Sequence, residues 1–217
     1  MTATRSNRSH SEFPEPWLSV YAERRDAIKR RLEYFAQIPR EHYFYELLFC
    51  ILTPQSQAKN AEIVISKLID EHFFEIGFDP TEILRNSRHY IRFHNTKARR
   101  LLIARKQFSA IAAVIDKYWN KPIVLREEVR EAVPGFGLKE SSHFLRNIGI
   151  RGLAILDRHI LKHLNDLKII RNIPASLTDK RYYAIEKKWK KYSGNIGISL
   201  DELDLLFWSM ETGEIRK

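Results

Sequence analysis

The chain has 217 residues, 44% of them hydrophobic, enough for one large core or two smaller ones. Its 37 Lys and Arg against 27 Asp and Glu leave a net charge of +10, a balance that suits polyanion partners, nucleic acid above all. The single cysteine, Cys50, excludes an internal disulfide and any cluster held by four cysteines of this chain.

In chain order, residues 1–10 lack the apolar segment of a signal peptide. No later run approaches the roughly 20 apolar residues a membrane span requires. The expectation is a cytoplasmic protein with no membrane partner. Residues 1–16 end in Phe13-Pro14-Glu15-Pro16; polar and proline-punctuated, they predict a flexible tail, with 17–217 as the folded domain. Trp17 to about Gln37 has a helical pattern with charges along one face. Glu41 to Leu52 is a strongly apolar helix that should be buried, with Cys50 as a small apolar core residue. Thr53-Pro54-Gln55-Ser56-Gln57 breaks it, and Ala58 to His72 resumes a helix.

A short helix is expected after Asp79-Pro80-Thr81, then a long one from Thr96 to Tyr118. Leu125 to Val133 and Leu138 to Ile148 flank a turn with two glycines, Gly135 and Gly137. Asp157 to Asn165, Leu177 to Tyr192 and Leu200 to Met210 complete the series, with Asp157, Thr178 and Ser199 as N-caps. Alternating strand patterns are nearly absent, and Ile169-Ile170 is too short for a strand. The predicted fold is all-α.

The glycine turn carries the chemistry. Glycine reaches positive φ cheaply and lets the backbone approach another molecule. Gly135 and Gly137 therefore suit a turn whose amides, at a helix N-terminus, bind a phosphate of the DNA backbone; the alternative is a plain helix–helix turn. Lys139 follows at the start of the next helix, and Asp157 stands 18 residues further on, where another helix begins. Deprotonated, a lysine amine attacks carbon electrophiles and forms Schiff bases. A nearby carboxylate takes up its proton and stabilises positive charge on a sugar. Beside a phosphate site, the natural electrophile is C1′ of a deoxynucleotide. Lys139 and Asp157 are thus the candidate catalytic pair, although Asp157 also reads as a cap.

Pro134-Gly135-Phe136-Gly137-Leu138-Lys139 followed by Asp157 resembles the helix-hairpin-helix/Gly-Pro-Asp superfamily of DNA glycosylases, to which endonuclease III belongs. Leu52-Thr53-Pro54-Gln55-Ser56-Gln57 and Phe93-His94-Asn95-Thr96-Lys97-Ala98 look like further segments of that family. The iron–sulfur cysteines of many endonuclease III relatives are missing. The length and the ending Gly213-Glu214-Ile215-Arg216-Lys217 resemble instead the type-2 8-oxoguanine DNA glycosylase/AP lyases.

The resemblance implies two helical lobes, with the helix-hairpin-helix motif beside the cleft between them. It implies a monomer that excises 8-oxoguanine from double-stranded DNA through a Lys139 Schiff base and then cleaves 3′ to the site by β-elimination. It places Phe93 and Trp208 on the two faces of a flipped purine and gives Lys217 a part in reading it. From the residues alone, Trp208 and Phe93 read as core, and Lys217 as a frayed terminus. A glycosylase for oxidised pyrimidines and a non-catalytic helix-hairpin-helix module remain as alternatives. No cofactor is expected beyond a monovalent cation held by hairpin carbonyls. His143, His159 and His163 lack an H-E-x-x-H pattern, and no metal site is expected.

Overall fold

The computed structural model describes residues 13–216, and these form helices and connecting turns with no strand among them. The helices are α1 (Glu15–Ala36), α2 (Tyr43–Leu52), α3 (Ala58–Asp70), α4 (Phe73–Ile76), α5 (Thr81–Arg85), α6 (His94–Tyr118), α7 (Pro122–Ala132), α8 (Leu138–Asn147), α9 (Arg158–Asp166), α10 (Asp179–Ile196) and α11 (Leu200–Thr212). The chain divides into two compact units. One is Glu33–Ile155; the other comprises the segments through Leu32 and from Leu156 onward, so the division falls inside α1.

α1 begins at Glu15, two residues inside the stretch read as a tail. Pro16 stands in its first turn, where a missing N–H costs nothing, and the amides of Trp17 and Leu18 reach the Pro14 carbonyl at 2.9 Å. Residues 1–12, the rest of that expected tail, lie outside the described residues.

In the unit Glu33–Ile155, α2 is the central element, packed by α3, α6 and α8. Phe44, Leu47, Leu48, Phe49, Cys50 and Leu52 are essentially fully buried, which is why this helix reads as apolar on all sides. Each such large side chain contributes about 1.5–3 kcal/mol of transfer free energy. α6 packs on α7 and α7 on α8, so the hairpin between α7 and α8 rests on the long helix. The predicted Ala58–His72 helix ends at Asp70, because His72 turns left-handed (φ +51°) and starts the short α4. A side chain far along the sequence stabilises that extra turn. Arg105 Nε donates to the carbonyls of Phe73 (3.1 Å) and Phe74 (2.6 Å), and its Nη2 donates to that of Glu75 (2.7 Å).

The other unit is built on α9, α10 and α11 with the first part of α1. Its centre is aromatic. Trp17 meets Phe207 edge-on at 5.3 Å, His163 stacks on Phe207 at 4.8 Å, and the fully buried Trp189 lies parallel to Phe207 at 6.3 Å. Tyr21 donates to Glu202 at 2.9 Å, fastening α1 to α11. All three expected caps operate: the Asp157, Thr178 and Ser199 side chains each accept an amide of the following turn.

The least expected element of the first unit is Lys97, only 3% exposed. Its Nζ donates to the carbonyls of Leu52 (2.6 Å) and Pro54 (2.7 Å) and to Ser56 Oγ (3.1 Å), so one amine ties down the break after α2. Burial, and then the charges of Arg100 and Lys139, push this amine down to about 8. In the unfolded chain it titrates near its ordinary, higher value, so above about pH 8 the unfolded state holds more protons than the folded one. The stability contribution of Lys97 therefore rises with pH in that window, by up to about 1.4 kcal/mol per pH unit, and this rise is absent at lower pH. In denaturant unfolding, wild type should gain on Lys97→Met as pH increases from about 8 to about 10. A constant gap would show that the amine stays protonated throughout.

Candidate active site

α7 ends at Ala132 with Val133 as its C-cap, and the Phe136 amide donates back to the Val133 carbonyl at 3.1 Å. The four residues Val133–Phe136 form a turn with Pro134 second and Gly135, at φ +88°, third, the pattern of a type II β-turn. The guanidinium of Arg100 lies over Gly135, where a Cβ would have to displace it. Gly137 behaves differently. Its backbone is ordinary and extended, and it serves as the N-cap of α8, with its own amide donating to Glu140 Oε2 at 3.1 Å. Of the two glycines expected to offer amides to a phosphate, Gly135 thus has its amide free and Gly137 has its amide engaged. The amides of Gly135, Leu138 and Lys139 have no acceptor among the described residues.

Lys139 occupies the second position of α8, with its side chain 26% exposed and Nζ 3.8 Å from Glu140 Oε1. Leu138 and Phe144, on the same helix, are buried core residues. The neighbourhood is strongly positive. Lys139 and Arg100 are both close enough to Lys97 to disfavour its charge, and Glu140 is the only carboxylate in ion-pair contact with Lys139 among the described residues. Phe93 belongs to the same unit. It is 50% exposed and holds a left-handed backbone (φ +60°) as the residue that starts α6, with the Arg92 guanidinium 5.1 Å from its ring centre. Positive φ at an aromatic residue is uncommon and strained. The Arg92 amide donates to Ser56 Oγ at 3.0 Å, the hydroxyl that also receives Lys97, so Lys97 and Phe93 share one support.

In the other unit, Asp157 caps α9. Its Oδ1 accepts from the amides of His159 (2.9 Å) and Ile160 (2.8 Å), which leaves Oδ2 available to another molecule. The His159 ring lies edge-on to Trp208 at 6.2 Å. Trp208 is half-buried on α11, neither wholly core nor free, beside fully buried Phe207. One turn on, Glu211 gathers Lys162 at 2.8 Å, His163 Nε2 at 3.1 Å and His159 Nδ1 at 3.5 Å. The hydrogen bond from Lys162 chiefly holds the Glu211 carboxyl below its usual range, while burial pulls His163 down. His159 and His163 do share a helix face, as their spacing suggests, and both meet this carboxylate. Among the described residues no group of three or more His, Cys, Asp or Glu could hold a metal ion. Lys217 lies outside the described residues.

Lys97, Arg100, Glu140 and Glu211 escaped the sequence reading. Lys97 and Arg100 are three apart on α6, so they share a face. That spacing was visible, but which face meets the hairpin was not.

A family model described as 8-oxoguanine DNA glycosylase (Ogg-HhH) matches residues 28–198. The chain is 38% identical to the 8-oxoguanine DNA glycosylase/AP lyase of Fusobacterium nucleatum, over 91% of this chain and 94% of that protein. It is 34% identical to that of Methanocaldococcus jannaschii, over 90% and 94%. The crystal structure of the M. jannaschii 8-oxoguanine DNA glycosylase superposes with a TM-score of 0.81 at 30% identity, covering 93% of this chain and 96% of that one. Its complex with a 15mer DNA containing 8-oxoguanine superposes with a TM-score of 0.79 at 30% identity, covering 92% and 99%. With a glycine hairpin that delivers a lysine to the start of α8, and with these likenesses over nearly its whole length, the chain belongs to the 8-oxoguanine DNA glycosylase family of helix-hairpin-helix proteins.

Proposed function

We propose that this protein is a bifunctional 8-oxoguanine DNA N-glycosylase and AP lyase in which Lys139 is the nucleophile and Asp157 its electrostatic and acid–base partner. The observation that carries the reading is the hairpin: a partly exposed lysine at the second position of a helix, beside amides without acceptors, in a region dominated by cations. The relatives named above, 8-oxoguanine DNA glycosylase/AP lyases over most of their length, supply the substrate.

The chemistry follows from the groups. The Lys139 amine, as free base, attacks C1′ of the lesion nucleotide, and the C1′–N9 bond breaks with its electron pair leaving on the base, which takes up a proton. Loss of the amine's proton and opening of the sugar ring at O4′ give the imine. The free Oδ2 of Asp157 suits it to stabilise the positive sugar and to take that proton, while Oδ1 keeps the carboxylate fixed. Removal of a C2′ proton then expels the 3′ phosphate oxygen, cutting the strand. Hydrolysis of the imine restores the lysine.

Backbone phosphate is held at the hairpin by main-chain amides, in which the free N–H of Gly135 supports a part and Gly137 acts through the turn it caps. Turn carbonyls there are hard donors able to share a monovalent cation with the phosphate. Phe93 and Trp208 offer aromatic faces to an extruded purine, and Lys217 completes the reading of the lesion. 8-Oxoguanine differs from guanine by a C8 carbonyl and an N7–H, so an acceptor aimed at N7–H rewards only the lesion. The protein acts on duplex DNA as a monomer. No helix among the described residues is long and apolar enough to cross a membrane.

Borohydride reduction should trap a covalent adduct between wild type and an 8-oxoguanine duplex. Lys139→Gln should give none, and an adduct that persisted in this variant would remove Lys139 from the mechanism. A thymine-glycol duplex should trap far less; the reverse preference would make oxidised pyrimidine the substrate. Asparagine caps as well as aspartate, so Asp157→Asn should melt within about 0.5 kcal/mol of wild type yet excise roughly 10²–10⁴-fold more slowly. Asp157→Ala should add a stability loss of about 1 kcal/mol. Deleting Lys217 should slow 8-oxoguanine removal while leaving cleavage of a preformed abasic site near wild type. Equal loss of both would take Lys217 out of base recognition.

A further inference from the structure

Two arginines of α6 are laid against glycines of positive φ in the same manner. Arg105 crowds Gly77 (φ +74°) so closely that a Cβ there would collide with its guanidinium, and Arg100 crowds Gly135 (φ +88°) likewise. Their hydrogen bonding differs completely. Arg105 places its N–H groups on the carbonyls of Phe73, Phe74 and Glu75. Arg100 is half-buried, yet it makes no hydrogen bond or ion pair to any described residue. A guanidinium carries five donors and is always charged. One held partly out of water, on a hairpin, without an acceptor is arranged for a ligand that brings oxygens of its own.

We propose that Arg100 is a DNA-binding residue: its guanidinium grips a backbone phosphate at the α7–α8 hairpin, on the side of the turn formed by Gly135. The inference rests on the function proposed above and extends it by a residue from a different helix. Planar, forked donors match phosphate geometry better than a point charge does. The surroundings favour an anion, because Lys97, Arg100 and Lys139 lie close together and Glu140 is the only described carboxylate paired with any of the three. Gly135 then has a dual role. Its positive φ makes the turn, and its missing Cβ gives the guanidinium a place on the backbone, next to the free Gly135 amide.

The test is binding of wild type, Arg100→Gln and Arg100→Lys to a duplex carrying a tetrahydrofuran abasic analogue, which cannot form an imine, followed by anisotropy across a salt series. One lost phosphate contact lowers the slope of log K against log salt by about 0.9, which corresponds to about eightfold weaker binding at about 0.1 M salt relative to a 1 M reference. Arg100→Gln should show both changes, and Arg100→Lys should recover most of the slope. An unchanged slope in Arg100→Gln, or a lysine variant as defective as the glutamine one, overturns the proposal, since a packing role predicts that pattern. Phenylglyoxal labelling of wild type gives a readout independent of whether a variant folds. Arg100 should be modified in the free protein and protected by the duplex, and undiminished labelling on DNA also overturns it. If wild type shows no salt-dependent duplex binding, the functional reading itself fails and this inference goes with it.

Discussion

The turn from Val133 to Phe136 decides where α8 starts, and the position of Lys139 follows from it. Proline second and a positive-φ glycine third close the chain on itself in four residues. Gly137 can then cap α8 in an extended conformation, with Glu140 reaching back to its amide. Lys139 is thereby fixed in the first turn of a helix, where its own amide and that of Leu138 have no acceptor among the described residues. A side chain at position 135 would strain the turn and displace Arg100 together. Backbone geometry and local charge thus depend on the same residue.

Neighbouring cations, one of them buried, give the region its character. A lysine placed among carbonyls normally marks a structural tie, and Lys97 is one, closing the loop after α2. It is also one of three positive side chains gathered near the hairpin, and their mutual repulsion is part of what lowers its affinity for a proton. A protein holds such a cluster with so few carboxylates at some expense in stability. A polyanion relieves that repulsion, which connects the overall charge of +10 to a particular place.

The second unit joins structure and chemistry differently. Asp157 divides its oxygens, one anchoring α9 and the other left open. The residues that follow it on α9 run into a network with α11: His159 against Trp208, and His159, Lys162 and His163 around Glu211. The cap needs only one carboxylate oxygen, so the other carries no bond to a described residue.

Periodicity and caps were enough to read the helices from the sequence. The expected helices are present with ends shifted by a few residues, and the three named N-caps all bond as caps, because both signals are local. The place of Lys139 at the start of α8 and of Asp157 as the cap of α9 were legible for the same reason: each signal is local, and Gly135 answers a backbone requirement. What depends on distant residues was not legible. α4 exists because Arg105, about thirty positions later, caps its carbonyls. Lys97 and Arg100 stand three apart on α6 with nothing local to tell them from its other basic residues. Only packing of α6 against α2 and α7 could decide that one would be buried among carbonyls and the other pressed on the hairpin, since a helix repeat states which residues share a face but not what that face will meet.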